Sequence, residues 1–260
     1  MEYSSGQRAL TDSFLKAAEE NNAAEAERLL NAGAHINASD RHEATALMWA
    51  ARNGNLDFMK LLLGKGAERE CADNLGFTPL MSAISLGRAD LAREMVKLQF
   101  NAAAKGARGE MPLLLASQRG FAPLMEDLIT AGAKADAQDI SGMTPLMAAI
   151  RENQPEAVTL LLQNRQGIDK QDNEGRTALI HAVTCGRHEM ARQLIEAGAD
   201  ISICDHRGRN ALEFARQWKT SGMLELVKET FLDDTVAQLT SGARAPIKTV
   251  PVLRLRPHGT

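Results

Sequence analysis

The residues best suited by type to do chemistry are His181, Cys185 and His188, which stand at i, i+4 and i+7. On one continuous helix that spacing would put three good zinc ligands on a single face. Gly186 interrupts the run and ends the helix, so the spacing predicts no shared face. A second set, Cys185, Cys204 and His206, meets only if the segments around it are neighbours, and it lacks a fourth ligand. Packing and surface placement account for both sets. The chain has no Gly-rich phosphate loop, no His-Glu-x-x-His pair and no nucleophile turn of the Gly-x-Ser-x-Gly kind. No catalytic residue, metal or cofactor is therefore expected, and the chain does not read as an enzyme.

Composition narrows the classes further. The 260 residues are 44% hydrophobic and 24% charged, enough apolar material for a large core. Only 4% are aromatic, which favours close packing of small-residue helices over a sheet sandwich. A net charge of −3 leaves no overall basic footprint for nucleic acid. The three cysteines are odd in number and far apart, as reduced thiols of a cytoplasmic protein would be. Residues 1–10 are polar and no window approaches 18 apolar residues, so neither a secretory signal nor a membrane span is expected.

What positions the side chains is a repeat. Asp40, Asp73, Gly106, Asp139, Asp172 and Asp205 recur every 33 residues without insertion. Gly follows three residues later at Gly76, Gly109, Gly142, Gly175 and Gly208, with Glu43 as the exception. Two residues further on stand Thr45, Thr78, Met111, Thr144, Thr177 and Asn210, and then Leu47, Leu80, Leu113, Leu146, Leu179 and Leu212. Thr before Pro or Ala reads as a helix start, the hydroxyl accepting from a free N–H and Pro fitting the first turn. Small residues follow, then a terminating Gly at Gly54, Gly87, Gly120 and Gly186. A second helix carries apolar pairs one turn apart, such as Phe58-Met59 with Leu62-Leu63, and closes on Gly-Ala.

The block D-x-x-G-x-T-P-L-x-x-A-A, seen in "DNLGFTPLMSAISLG" and "DISGMTPLMAAI", resembles the ankyrin repeat. The resemblance implies an all-α solenoid of stacked helix-turn-helix units with β-hairpin finger loops. It covers an N-terminal capping unit over 11–39 and five units over 40–204 (40–72, 73–105, 106–138, 139–171 and 172–204). A C-terminal capping unit follows over 205–232. A short extension, 1–10, precedes this array, and a basic tail, 233–260, follows it with the composition of a flexible segment. The family usually has His after T-P-L. Here Met48, Met81, Leu114, Met147, Ile180 and Glu213 stand there, a departure that leans towards a bacterial source. The register is also irregular near residues 99–111, where Gln99-Phe100, Gly106 and Met111 replace Gly-Ala, Asp and Thr.

In this family the finger positions and the exposed side of the first helix line a concave groove. The matching positions carry Arg41, Arg52, Leu75, Phe77, Leu86, Arg108, Arg119, Ile140, Met143, Arg151, Arg176, Arg207, Arg209 and Trp218, with Lys105 beside them. Cations outnumber carboxylates there nine to three on a chain that is acidic overall, and Glu110, Glu152 and Glu174 are those carboxylates. Arg with apolar anchors is the composition of an interface core. The expected partner is a protein segment, acidic and partly apolar, gripped by a monomeric adaptor. Two alternatives use the same surface: an effector exported into a host cell through a C-terminal signal, and a nucleic-acid-associated regulator.

Overall fold

A computed structural model describes residues 5–164, 166–218 and 222–228. Helix pairs follow one another along the chain: α1 (Ser5–Glu19) and α2 (Ala23–Asn31), α3 (Ala46–Asn53) and α4 (Leu56–Gly64), α5 (Pro79–Ser85) and α6 (Ala89–Lys97). They continue with α7 (Pro112–Arg119) and α8 (Ala122–Thr130), α9 (Pro145–Arg151) and α10 (Pro155–Gln163), α11 (Ala178–Thr184) and α12 (His188–Glu196). The last pair is α13 (Ala211–Trp218) and α14 (223–228). The long α1 takes in residues 5–10, which the repeat register sets ahead of the first unit. The first helices form one row, in which α1 touches α3 and each later member touches the next through α13. The second helices α6, α8, α10 and α12 form the other. Among the described residues no helix is long and apolar enough to cross a membrane.

Local chemistry starts each first-row helix. The hydroxyls of Thr45, Thr78, Thr144 and Thr177 accept from the N–H three residues on, at 3.2–3.4 Å. Met111 supplies no such bond. In the last unit Asn210 and Glu213 cap each other: Asn210 Oδ1 accepts from Glu213 N–H, and Glu213 Oε2 accepts from Asn210 N–H. That reciprocal cap explains the carboxylate after the final Leu. The other residues at this position, Met48, Met81, Leu114, Met147 and Ile180, are buried between neighbouring units. Where the family carries a polar ring, this chain packs flexible or branched apolar side chains. Ala50, Ala83, Ala116, Ala149, Ala182 and Ala215 are fully buried, so the first-row helices approach without a side chain between them.

The fingers expected as β-hairpins are tight turns. Among the described residues there is no strand, and the one isolated bridge joins Ser39 to Thr45. Each turn is closed by the N–H of its first residue to the carbonyl four residues on, as in Asp73 to Phe77 at 3.0 Å. A single backbone bond then joins each turn to the next, so five residues are too few for a ladder. Those bonds run from Asn74, Ala107, Ile140, Asn173 and His206 N–H to the carbonyls of His42, Leu75, Arg108, Ser141 and Glu174.

Residues other than Gly take a left-handed backbone at four described positions: Asn21, Glu43, Gln99 and Asn153. Each stands where the 33-residue register supplies Gly in other units, so the fold imposes the conformation and the side chain tolerates it. Gln99, with φ of 64°, is neither Gly nor Asn. Replacing it by Gly should raise the unfolding free energy by about 1 kcal/mol. Urea titration of Gln99→Gly checks this, and an unchanged midpoint would count against imposed strain.

The irregular joint is compensated locally. With Gly106 in place of Asp, Glu110 folds back and its Oε2 accepts from Arg108 N–H at 2.9 Å, the service an Asp oxygen performs elsewhere. A Cβ on residue 106 would lie 2.7 Å from that oxygen. The Gly makes room for the carboxylate. Phe100 and Met111 are buried, and Arg93 of α6 pairs with Asp127 of α8 at 2.7 Å across the joint.

Candidate partner-binding surface

The register Asp residues organise the turns that carry the predicted site. One carboxylate oxygen of Asp40, Asp73, Asp139, Asp172 and Asp205 accepts from the N–H groups two and four residues on, at 2.7–3.0 Å. The second oxygen of Asp40, Asp73, Asp172 and Asp205 takes a side-chain donor, and there the units differ. Asp40 accepts from Trp49 Nε1–H at 3.2 Å. Asp73 accepts from Arg52, whose guanidinium also lies 4.9 Å from the Trp49 ring centre. Asp205 accepts from Arg209, which stacks over Phe214 at 4.4 Å. Asp172 takes two donors: Arg176 Nε–H at 3.1 Å and His181 Nε2 at 2.8 Å.

Those bonds divide the nine predicted cations. Arg52, Arg176 and Arg209 are half-buried and neutralise carboxylates that the turns bury. Arg176 also reaches Glu174 at 2.8 Å. These three hold the scaffold together. The exposed cations are Arg41, Lys105, Arg108, Arg119, Arg151 and Arg207. Arg41 Nε–H donates to His42 at 3.0 Å, and Arg119 donates to the Ser85 carbonyl at the end of α5.

The apolar members divide as well. Met143 is buried, and Phe77 is half-buried against the core, so both serve packing. Trp218 ends α13, and its side chain lies outside the described residues. Leu75, Leu86 and Ile140 remain, at 63%, 54% and 66% exposed. They are the exposed large hydrophobics among the described residues, and all three stand at predicted site positions. Residues at turn tips and helix ends that the fold does not need to be apolar are apolar here.

His181 is buried against Asp172 and is a feature the motif did not anticipate. Burial pushes its imidazolium below the ordinary 6.5, Asp172 opposes this, and Arg176 and Arg151 push it further down. The ring is therefore neutral near pH 7, and its Nε2–H donates to the carboxylate. Burial raises the Asp172 carboxyl, but the Arg176 N–H, His181 and the Glu174 N–H outweigh it and hold it below 3.8. Below about pH 6.5 the unfolded chain takes up a proton at this His that the native state refuses, so stability falls as pH falls from there. The Asp172 contribution is present above 3.8 and is lost only as pH drops below it. Urea midpoints should decline between about pH 7 and pH 5, and His181→Gln should flatten that decline. A parallel decline in the variant would show that other groups cause it.

Cys185 and Cys204 are exposed, and burial raises the half-buried Cys71 thiol. Gly186 does end the helix after Cys185, separating it from α12, which begins at His188. No group of three or more His, Cys, Asp or Glu among the described residues is placed to hold a metal ion. An open niche of about 480 Å³ lies between α1 and the first turn, with Trp49, Asp12, Lys16, Glu19, Asp40 and Arg41 in its wall, and of these only Arg41 belongs to the predicted site. Its charges are mixed, and the α1 residues enter it only because α1 packs on α3.

Stacked two-helix units, most of them joined by Asp-anchored turns, define a helical repeat protein. A family model for ankyrin repeats in three copies matches residues 14–106, 89–173, 113–205 and 160–230, so the chain belongs to the ankyrin-repeat family. Ankyrin repeats are protein–protein interaction modules, and the family is typically non-catalytic. Among curated proteins none matches the chain.

Proposed function

We propose that this protein is a non-catalytic adaptor that binds an acidic, partly apolar protein segment on the surface formed by its turn tips and first-row helix ends. The observation that carries this reading is the coincidence of Leu75, Leu86 and Ile140 with exposed Arg108, Arg119 and Arg151. An exposed aliphatic side chain alone needs no explanation, but three close along the chain to exposed arginines combine the apolar area and the Arg enrichment of an interface. Arg also suits planar recognition of carboxylates. The nucleic-acid reading is weaker on the same residues, because aliphatic tips offer bases no stacking surface and the exposed Glu152 stands beside Arg151. The export reading rests on the 233–260 tail, which lies outside the described residues. The test is capture of a partner from the native source by the wild type and by a variant with Arg108, Arg119 and Arg151 all changed to Glu. Undiminished capture by the folded variant would remove this surface from consideration.

A further inference from the structure

We propose that the working footprint is confined to the three units over 73–171, and that its ligand is a peptide segment in which two apolar residues flank acidic ones. This rests on the protein-binding reading above and narrows it to an order of side chains.

The turn tips give the order. Leu75 and Ile140 belong to turns two units apart, and the third unit's turn lies between them, bonded to both. Its Ala107 N–H donates to the Leu75 carbonyl at 3.1 Å, and its Arg108 carbonyl accepts from Ile140 N–H at 3.1 Å. Along the tips the sequence is therefore apolar, cationic, apolar. Glu110 does not cancel the central charge from outside, because it is folded inward on Arg108 N–H and packed against Gly106. A parallel row lies on the helix ends, where Leu86 follows α5, Arg119 ends α7 and Arg151 ends α9, with the exposed Glu152 directly after it.

The flanking units lack this combination. The first turn presents Arg41 and His42, the fifth Asn173 and Glu174, and the last His206 and Arg207, with no exposed large aliphatic residue on any of them. A solvated charge without an apolar neighbour steers an approaching ligand but adds little to its residence. Arg41 and Arg207 are accordingly outside the footprint.

Charge complementarity fixes the occupant. Arg108, Arg119 and Arg151 require carboxylates opposite, and Leu75, Leu86 and Ile140 require apolar side chains that leave water with them. The chain's own 233–260 segment is a poorer occupant, since Arg244, Lys248, Arg254 and Arg256 outnumber its only carboxylate side chains, Asp233 and Asp234, and would meet like charge. Packed helices lie about 8–10 Å apart, so two units span about 16–20 Å. A helical ligand covers that with apolar residues about 11–13 positions apart, at about 1.5 Å per residue. An extended ligand covers it in about 5–6, at about 3.3 Å per residue.

Fluorescence anisotropy with the full chain tests the order. One pair of stapled helical peptides carries Leu at i and i+11 with Glu at i+4 and i+7, or the same residues exchanged. One extended pair carries Leu at i and i+6 with Glu at i+2 and i+4, or exchanged. In at least one pair the apolar–acidic–apolar member should bind about tenfold tighter or more. Leu75→Asp with Ile140→Asp should erase that preference while circular dichroism stays unchanged, both side chains being exposed. Arg41→Glu with Arg207→Glu should slow association and leave the dissociation rate alone. Equal affinity for both orders overturns the proposal, as does failure of the folded wild type to bind any of the four peptides. Preferential binding of a single-stranded oligonucleotide at the same residues overturns it too. Order-indifferent binding that still vanishes in the triple Glu variant would sink the ordered footprint yet leave the adaptor reading standing.

Discussion

Asp172→Ala is expected to remove about 3–5 kcal/mol of unfolding free energy, a loss typical of breaking a buried charged network from one side. Asp172 is 6% exposed and serves four donors: the N–H groups of Glu174 and Arg176, the Arg176 guanidinium and the His181 ring. Truncation leaves two backbone donors without their acceptor, a buried imidazole without a partner, and Arg176 with Glu174 alone. Each orphaned buried polar group costs about 1–3 kcal/mol, and the guanidinium recovers part of its share from water. Asp139 provides the control. It also accepts from two turn N–H groups and from the Ser141 hydroxyl, but no buried cation or ring leans on it. Asp139→Ala should cost about 1–2 kcal/mol.

The loss at Asp172 should also have a shape. Units of a solenoid touch only their neighbours, so weakening the fifth unit uncouples the C-terminal units from the rest. Urea unfolding of Asp172→Ala, followed by circular dichroism, should broaden or split with a reduced apparent m value. A loss below about 1 kcal/mol with a single sharp transition would show that the Asp172 cluster is not a hub of the array.

Reversing Arg108, Arg119 and Arg151 to Glu should weaken partner capture by more than about a hundredfold, because like charges brought together at an interface cost several kcal/mol. The variant should remain folded. Arg108 and Arg151 are exposed and hold no ion pair among the described residues, and Arg119 contributes one donor to the Ser85 carbonyl. That bond is worth about 1 kcal/mol, small beside the expected binding loss. The wild-type association rate should fall as salt is raised, and the variant's should not. Arg52, Arg176 and Arg209 are unsuitable for such a test. Reversing any of them would place a second carboxylate beside Asp73, Asp172 or Asp205 and unsettle the turn itself.

Much of the fold is legible in single residues. Thr78 before Pro79 predicts the start of α5, and Gly120 predicts the end of α7, because capping and left-handed backbone are decided within a few residues. The exceptions follow the same rule. Gln99 and Glu43 take the Gly conformation because the register around them requires it. The site is legible only in part. Spacing along the chain shows which positions reach a turn tip or a helix end, and so finds Leu75, Leu86 and Ile140. It does not show what a side chain meets there. Arg52 lies 21 residues from Asp73, and Met143 and Phe77 turn into the core. The hairpin expectation also came from the family pattern, whereas five-residue turns with one backbone bond between neighbours make no strand.

The uninterrupted 33-residue register determined the helix pairs and their caps, because each depends on bonds within one unit, whereas the proposed binding surface came from the family pattern. Tertiary structure decided which cations that surface can use. Burying a turn Asp demands a neutralising partner, the partner comes from whichever guanidinium the stacking brings within reach, and three arginines are spent on the scaffold in this way. What the stacking leaves exposed is a shorter stripe of cations and three aliphatic side chains in the middle of the array.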